Sequence, residues 1–155
     1  MEVLKPVLNQ SAETNNPTDE YHLDQQVGHL LRRAYQRHTA IFTENQKPHG
    51  LTAPQWAALY KLWEVGEVSQ NKLGRLIAVD AATMQGLAQR LMKRGLLHSR
   101  QDTEDRRRSV LQLTQEGVDM IDKMLPSAVK ITQETLSPLT QRERGTLINL
   151  LRKIT

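Results

Sequence analysis

Between Ala81 and Arg108 the side chains are suited to recognition rather than to covalent chemistry. Gln85 and Gln89 each carry a donor and an acceptor on one planar amide. Arg90 and the run Arg106, Arg107 and Arg108 supply cationic donors, and Ala82, Thr83 and Gly86 leave small surfaces between the amides. A glutamine amide matches the edge of adenine, and alanine and threonine methyls suit the methyl of thymine. Exposed arginines suit phosphate or a narrow minor groove. An enzyme needs a nucleophile with its base, a paired acid and base, or a metal centre. The chain has no G-x-S-x-G, no H-E-x-x-H and no glycine-rich phosphate loop, so no catalytic role is expected. It has no cysteine, which excludes disulfides, thiolate metal sites and thiol-based peroxide sensing. His22 and His29 are two helical turns apart, too far to share one ion, and no metal site is expected.

Those residues need a scaffold, and the stretch from Ser69 to Leu113 supplies one. Ser69 is placed to cap a short helix with an apolar face of Leu73, Leu76 and Ile77. Asp80 follows too soon for anything but a turn and restarts a helix, its carboxylate at the positive end of the dipole. Met84, Leu87 and Leu91 bury one face of this second helix, and Gly95 ends it after Lys93 and Arg94. The other face holds Ala82, Thr83, Gln85, Gly86, Gln89 and Arg90, concentrated at the end that a recognition helix turns to base edges. Ser69, Gln70 and Lys72 lie where the preceding helix would meet phosphate. Two short apolar segments around the Arg106–Arg108 loop then predict a β-hairpin wing, with Leu111 and Leu113 alternating. From Ser69 to Leu113 there are nine basic and four acidic side chains, a net +5 against +4 for the whole chain. The basic excess therefore sits on this element, as phosphate binding requires.

The flanking segments read as helices. Residues 1–20 are polar and aperiodic, a flexible arm. From Tyr21 to about Gln46, Leu23, Val27, Leu30, Leu31, Ala34, His38, Ile41 and Phe42 share one face, with Arg33 and Arg37 on its edge. Thr52 and Gln55 form a capping box for a helix whose expected buried stripe is Trp56, Leu59, Tyr60 and Trp63. Thr114 starts a long helix to about Thr135, with a kink expected at Pro126, and Thr140 with Glu143 starts the last one. The fold class is mainly α with a small β-hairpin wing: a winged helix-turn-helix over residues 51–114, and a helical dimerisation region from residues 21–50 and 115–155. Both terminal helices are too apolar on one side to stand alone, so a homodimer is expected, with two recognition helices facing a pseudopalindromic site on double-stranded DNA. No run approaches membrane-spanning length and no signal peptide is evident, so a cytoplasmic protein is expected.

The segment from Leu51 to Gly117 resembles the MarR (multiple antibiotic resistance regulator) family. The resemblance lies in Leu-Thr-x-x-Gln at Leu51, the aspartate opening the recognition helix, Leu-x-x-x-Gly before the wing, Asp105-x-Arg107 within it, and Leu-Thr-x-x-Gly after it. It implies a dimeric repressor that leaves DNA when a small molecule binds, and assigns Arg107 partly to a structural pair with Asp105. The first helix, LLRRAYQRHTAIF, is similar to a subgroup that responds to hydroxybenzoate- or nicotinate-like acids. The chemistry is consistent with a small aromatic carboxylate as effector. Arg33 and Arg37 are one turn apart and could share one carboxylate. His38 suits a ring hydroxyl or ring nitrogen, and Trp56, Tyr60 and Trp63 suit the ring itself. The alternatives are a zinc-responsive repressor, if histidines converge through the fold, and a winged-helix module used only for protein contacts.

Overall fold

The computed structural model describes residues 21–102 and 109–155. The expected arm (residues 1–20) and the wing tip with Arg106, Arg107 and Arg108 lie outside the described residues. The chain divides into two compact units, residues 1–34 and 35–155.

The described part of the first unit holds a 3-10 turn at Leu23–Gln25 and the start of helix α1 (Val27–Gln46). The sequence pattern predicts helix from Tyr21. The regular helix begins six residues later because His22 and Gln26 are both extended. Asp24 faces His29 at 3.5 Å and Arg33 at 3.8 Å. Leu23, Val27, Leu30 and Leu31 are exposed.

The second unit is built on helices whose starts are set by local caps. Thr52 and Gln55 form the expected capping box of α2 (Ala53–Val65). Ser69 accepts from the Lys72 amide at the start of α3 (Gln70–Leu76). Asp80 accepts from the Thr83 amide at the start of α4 (Ala81–Lys93). Thr114 caps α5 (Gln115–Thr135), and Thr140 with Glu143 boxes the start of α6 (Gln141–Ile154). Each side-chain oxygen satisfies an amide that the first helical turn leaves unpaired. Pro126 lies within α5 without ending it. Gly95, at φ +72°, follows the last turn of α4 in the left-handed conformation that a glycine adopts at least cost.

Three strands form one antiparallel sheet, β1 (Glu67–Ser69), β2 (Leu97–Gln101) and β3 (Ser109–Leu113), in the order β1-β3-β2. The hairpin β2–β3 is the expected wing, in register from Leu97 opposite Leu113 to Gln101 opposite Ser109. The strand β1 is not expected from sequence. Its three residues, the last of them the Ser69 cap itself, are too few for an alternating pattern to register. As the central strand, β3 buries Val110 as well as Leu111. The core joins Leu59 and Leu62 of α2, Leu73 of α3, Met84, Leu87 and Leu91 of α4, and Ile121 and Met124 of α5.

Two expected stripes are corrected. In α2 the buried face is Gln55, Ala58, Leu59 and Leu62, a regular i, i+3, i+4, i+7 set. Trp56 and Tyr60 are only partly buried, and Trp63 is 51% exposed, because aromatic bulk does not override helical register. Of the expected α3 face only Leu73 is buried and Leu76 is exposed; Gly74, also buried, makes the close contact instead. A Cβ at Gly74 would stand 3.2 Å from the Val79 carbonyl oxygen and 3.4 Å from Met84 Cβ, which is how closely α3 packs on the turn and on α4.

Candidate nucleic-acid interface and ligand cleft

The turn from Ile77 to Asp80 sets the angle of α4. Ala78 adopts φ +56°, a left-handed conformation unusual for a residue with a side chain. Asp80 then holds the helix start twice, through the Thr83 amide to Oδ1 at 2.9 Å and the Thr83 hydroxyl to Oδ2 at 2.6 Å. The Thr83 hydroxyl is thus committed to the cap, a role its position three residues after the aspartate could have suggested. These hydrogen bonds, that from the Thr83 hydroxyl first, hold the Asp80 carboxyl below its ordinary pKa of 3.8. A lowered folded-state pKa contributes stability above the unfolded value and loses it as pH falls through the folded one. Comparing thermal unfolding of the chain with Asp80→Asn across pH should therefore show a full difference at neutral pH that shrinks once the pH drops below about 4.

Met84, Leu87, Ala88 and Leu91 bury one side of α4. Ala82, Thr83, Gln85, Gln89 and Arg90 stand exposed on the other, with Gly86 half-buried beneath the Arg90 guanidinium. At the start of α3, Ser69, Gln70 and Lys72 line a polar cleft of about 820 Å³ with Asn71, Arg75, and Asp102 and Ser109 of the wing. Asn71 and Arg75 were not among the expected contacts; their position beside Lys72 and about one turn after it was the available signal. The basic residues separate into two groups. Arg94 donates to the Gly50 and His49 carbonyls at 2.7 and 2.8 Å, and Arg100 pairs with Glu67 across the sheet. Lys72, Arg75, Arg90 and Lys93 are exposed, and their side chains make no ion pair or hydrogen bond among the described residues.

A second feature lies behind the turn. A largely apolar cleft of about 500 Å³ is lined by His38 and Phe42 of α1, Trp56 of α2, Ile77 to Val79 of the turn, and Ile131 of α5, among others. Of the expected ligand residues, His38 and Trp56 line it. His38 Nδ1 lies 3.1 Å from the Thr135 hydroxyl. Trp56, Tyr60 and Trp63 form an aromatic ladder with ring centroids 5.3 and 5.5 Å apart, but Tyr60 and Trp63 do not reach the cleft. Arg37 donates to the Glu134 carbonyl at 3.2 Å and to the Ser137 hydroxyl at 3.5 Å, outside the cleft lining. Arg33 is paired with Asp24. Among the described residues no three His, Asp or Glu side chains gather to hold a metal ion, and no helix is long and apolar enough to cross a membrane.

A short helix packed through a capped turn onto a helix with an exposed polar face, beside an antiparallel hairpin, defines a winged helix-turn-helix regulator of the DNA-binding kind. The chain belongs to the MarR family, whose pattern matches residues 51–109. It is 41% identical over 134 residues to the HTH-type transcriptional repressor NicR of Pseudomonas putida, covering 86% of this chain and 85% of that one. The structure of BpsR from Bordetella bronchiseptica, whose DNA binding is regulated by 6-hydroxynicotinic acid, superposes with a TM-score of 0.82 at 42% identity, over 86% of this chain and 96% of that one. PcaV of Streptomyces coelicolor, solved with its natural ligand, gives a TM-score of 0.77 at 30% identity, over 86% and 94% of the two chains.

Proposed function

We propose that the chain is a cytoplasmic, homodimeric repressor of genes for aromatic-compound breakdown, released from a pseudopalindromic operator by a small aromatic carboxylate. The observation that carries this reading is the cleft whose wall includes Ile77, Ala78 and Val79, the residues immediately before the Asp80 cap of α4. A ring seated against that wall touches the segment that sets the recognition helix, so the two states of the turn need not bind it equally. BpsR, whose DNA binding is regulated by 6-hydroxynicotinic acid, supports an effector of the nicotinate type.

His38 and Trp56 are the first candidates for ring contact. Arg33 and Arg37 are the candidates for the carboxylate; to serve, Arg37 must leave Glu134 and Ser137, and Arg33 must leave Asp24. Residues 51–114 would read DNA, and residues 21–50 with 115–155 would join two copies. The dimer is supported by apolar side chains that are exposed among the described residues: Leu23, Val27, Leu30 and Leu31 near the start of α1, and Leu150 and Ile154 on α6, which has no buried residue.

The test is a thermal-shift series with benzoate, hydroxybenzoates, nicotinate and 6-hydroxynicotinate, followed by fluorescence anisotropy on operator DNA. An effector at 100 times its Kd should add about 2.7 kcal/mol, or roughly 5–10 °C in Tm, and should dissociate the DNA complex. Stabilisation by no acid, or stabilisation with no change in DNA affinity, would count against the sensor. Direct readout has its own test. Gln85→Ala is expected to cost about 1–3 kcal/mol per half-site on the cognate operator and almost nothing on random DNA. Equal losses on both would assign Gln85 to the backbone.

A further inference from the structure

Thr135 is the last residue of α5 and does not line the aromatic cleft. Its hydroxyl nevertheless lies 3.1 Å from Nδ1 of His38, which does. Both side chains are half-buried. The contact belongs to a seam between α1 and the end of α5. Arg37 donates to the Glu134 carbonyl at 3.2 Å, and Asn45 donates to the Glu134 carboxylate at 2.9 Å. Thr135 is therefore carried on a tied helix end rather than on a loop, as a residue must be if it is to orient another side chain.

The direction of this bond follows from where its hydrogens can go. A neutral imidazole has one N–H, and its other nitrogen accepts. A threonine hydroxyl within a helix can donate to the carbonyl four residues earlier, as Thr132 does to Ala128 at 3.3 Å and Thr146 to Arg142 at 3.0 Å. Thr135 makes no such bond, and His38 Nδ1 is the partner its hydroxyl has among the described residues. Were Nδ1 to carry the ring hydrogen, the hydroxyl hydrogen would have no acceptor there. With the hydroxyl as donor every hydrogen is placed, and the ring hydrogen sits on Nε2. Nδ1 is engaged by a residue outside the cleft wall, and Nε2 has no partner among the described residues. Nε2–H is thus the polar group that His38 has left to offer the cleft.

We propose that Thr135 is a positioning residue for the cleft: it fixes His38 in the Nε2–H form and makes the imidazole a hydrogen-bond donor to whatever occupies the site. This inference rests on the reading of the chain as a sensor of small aromatic acids and narrows what His38 recognises in them. The ligand atom at His38 must present a lone pair. An N–H placed there would meet a second donor and leave both unpaired.

The test follows the ring nitrogens of the full chain, carrying isotope-labelled histidine, by NMR under mildly alkaline conditions. Proton–nitrogen spectra separate a protonated ring nitrogen from a bare one, and His38→Gln identifies the His38 signals among the five histidines. Without ligand, His38 should be in the Nε2–H form in the natural chain and in Thr135→Ser, and a mixture of forms in Thr135→Val. Calorimetry then uses the acids of the thermal-shift series. Thr135→Val should weaken the acids that bind by about fivefold to tenfold, the worth of one neutral hydrogen bond, although it removes nothing from the cleft wall. Thr135→Ser should restore the affinity. In the His38→Gln background, where no imidazole remains to be oriented, Thr135→Val should change affinity by less than about twofold. An equal loss in that background would make Thr135 merely structural and overturn the proposal, as would an unchanged tautomer and affinity in Thr135→Val. Acid binding by a His38 held in the Nδ1–H form would overturn it while leaving the sensor intact. An Nε2–H form that depends on Thr135, in a chain that binds no acid, would uphold the pairing and remove the sensor.

Discussion

Gly117→Ala is expected to destabilise the chain by about 2–4 kcal/mol, among the largest effects of any single methyl group. Gly117 sits in the first turn of α5, where a Cβ would stand 2.0 Å from the backbone carbonyl oxygen of Leu96 and 3.1 Å from a methyl of Leu113. The Leu96 backbone cannot yield cheaply. The Leu96 carbonyl accepts the Thr114 amide at 3.2 Å, the Thr114 hydroxyl donates to the Gly95 carbonyl at 2.6 Å, and the same hydroxyl accepts the Gly117 amide at 3.1 Å. Displacing Leu96 therefore breaks the junction of α4, the wing and α5 together. In a helix, alanine is otherwise favoured over glycine by about 1 kcal/mol, so the sign of the effect is itself diagnostic. Gly145→Ala supplies the control. It lies in α6 with nothing within 4 Å of its Cβ, and should stabilise slightly. Urea unfolding should show the midpoint falling for Gly117→Ala with its slope unchanged, and a neutral Gly117→Ala would mean that the junction gives way more easily than its hydrogen bonds imply.

Replacing both Lys72 and Arg90 by alanine is expected to weaken DNA binding on the order of 100-fold or more at physiological salt, with little loss of stability. Both are exposed, at the polar cleft of α3 and on the open face of α4. Neither side chain has an ion-pair or hydrogen-bond partner among the described residues, so removing it leaves no buried charge behind. If each neutralises one phosphate, the slope of log K against log salt should fall by about 1 per contact, or by about 4 for a dimer. Arg94 is the contrasting case. Its guanidinium holds the Gly50 and His49 carbonyls, so Arg94→Ala should lower Tm. A salt slope unchanged in the Lys72 and Arg90 variant would move the DNA face away from α3 and α4.

The helix starts were legible because a cap is a local event. Ser69, Asp80, Thr114 and Thr140 each sit three residues before the amide they accept, and Thr52 with Gln55 closes a box over the same distance. The polar face of α4 was legible for a similar reason: Met84, Leu87 and Leu91 fix which side is buried, and the exposed side follows from helical geometry. The aromatic cleft was only half legible. His38 and Trp56 line the cleft, but the Ile77–Val79 wall comes from a different part of the chain, and no spacing in α1 or α2 announces it.

By itself, then, the sequence determined a capped helix-turn-helix, a hairpin wing, the basic excess around it and the family to which the chain belongs, because each is written in residues close together along the chain. The tertiary structure alone decided the rest. It added β1 as a third strand, turned Trp63 outward and Leu62 inward, and brought the α3–α4 turn against α1, α2 and α5. It also separated Arg94 and Arg100, tied to backbone and to Glu67, from Lys72 and Arg90, which side-chain type could not distinguish. The reason is that periodicity specifies which side of an element is buried, whereas the identity of what it meets depends on contacts between residues far apart in sequence.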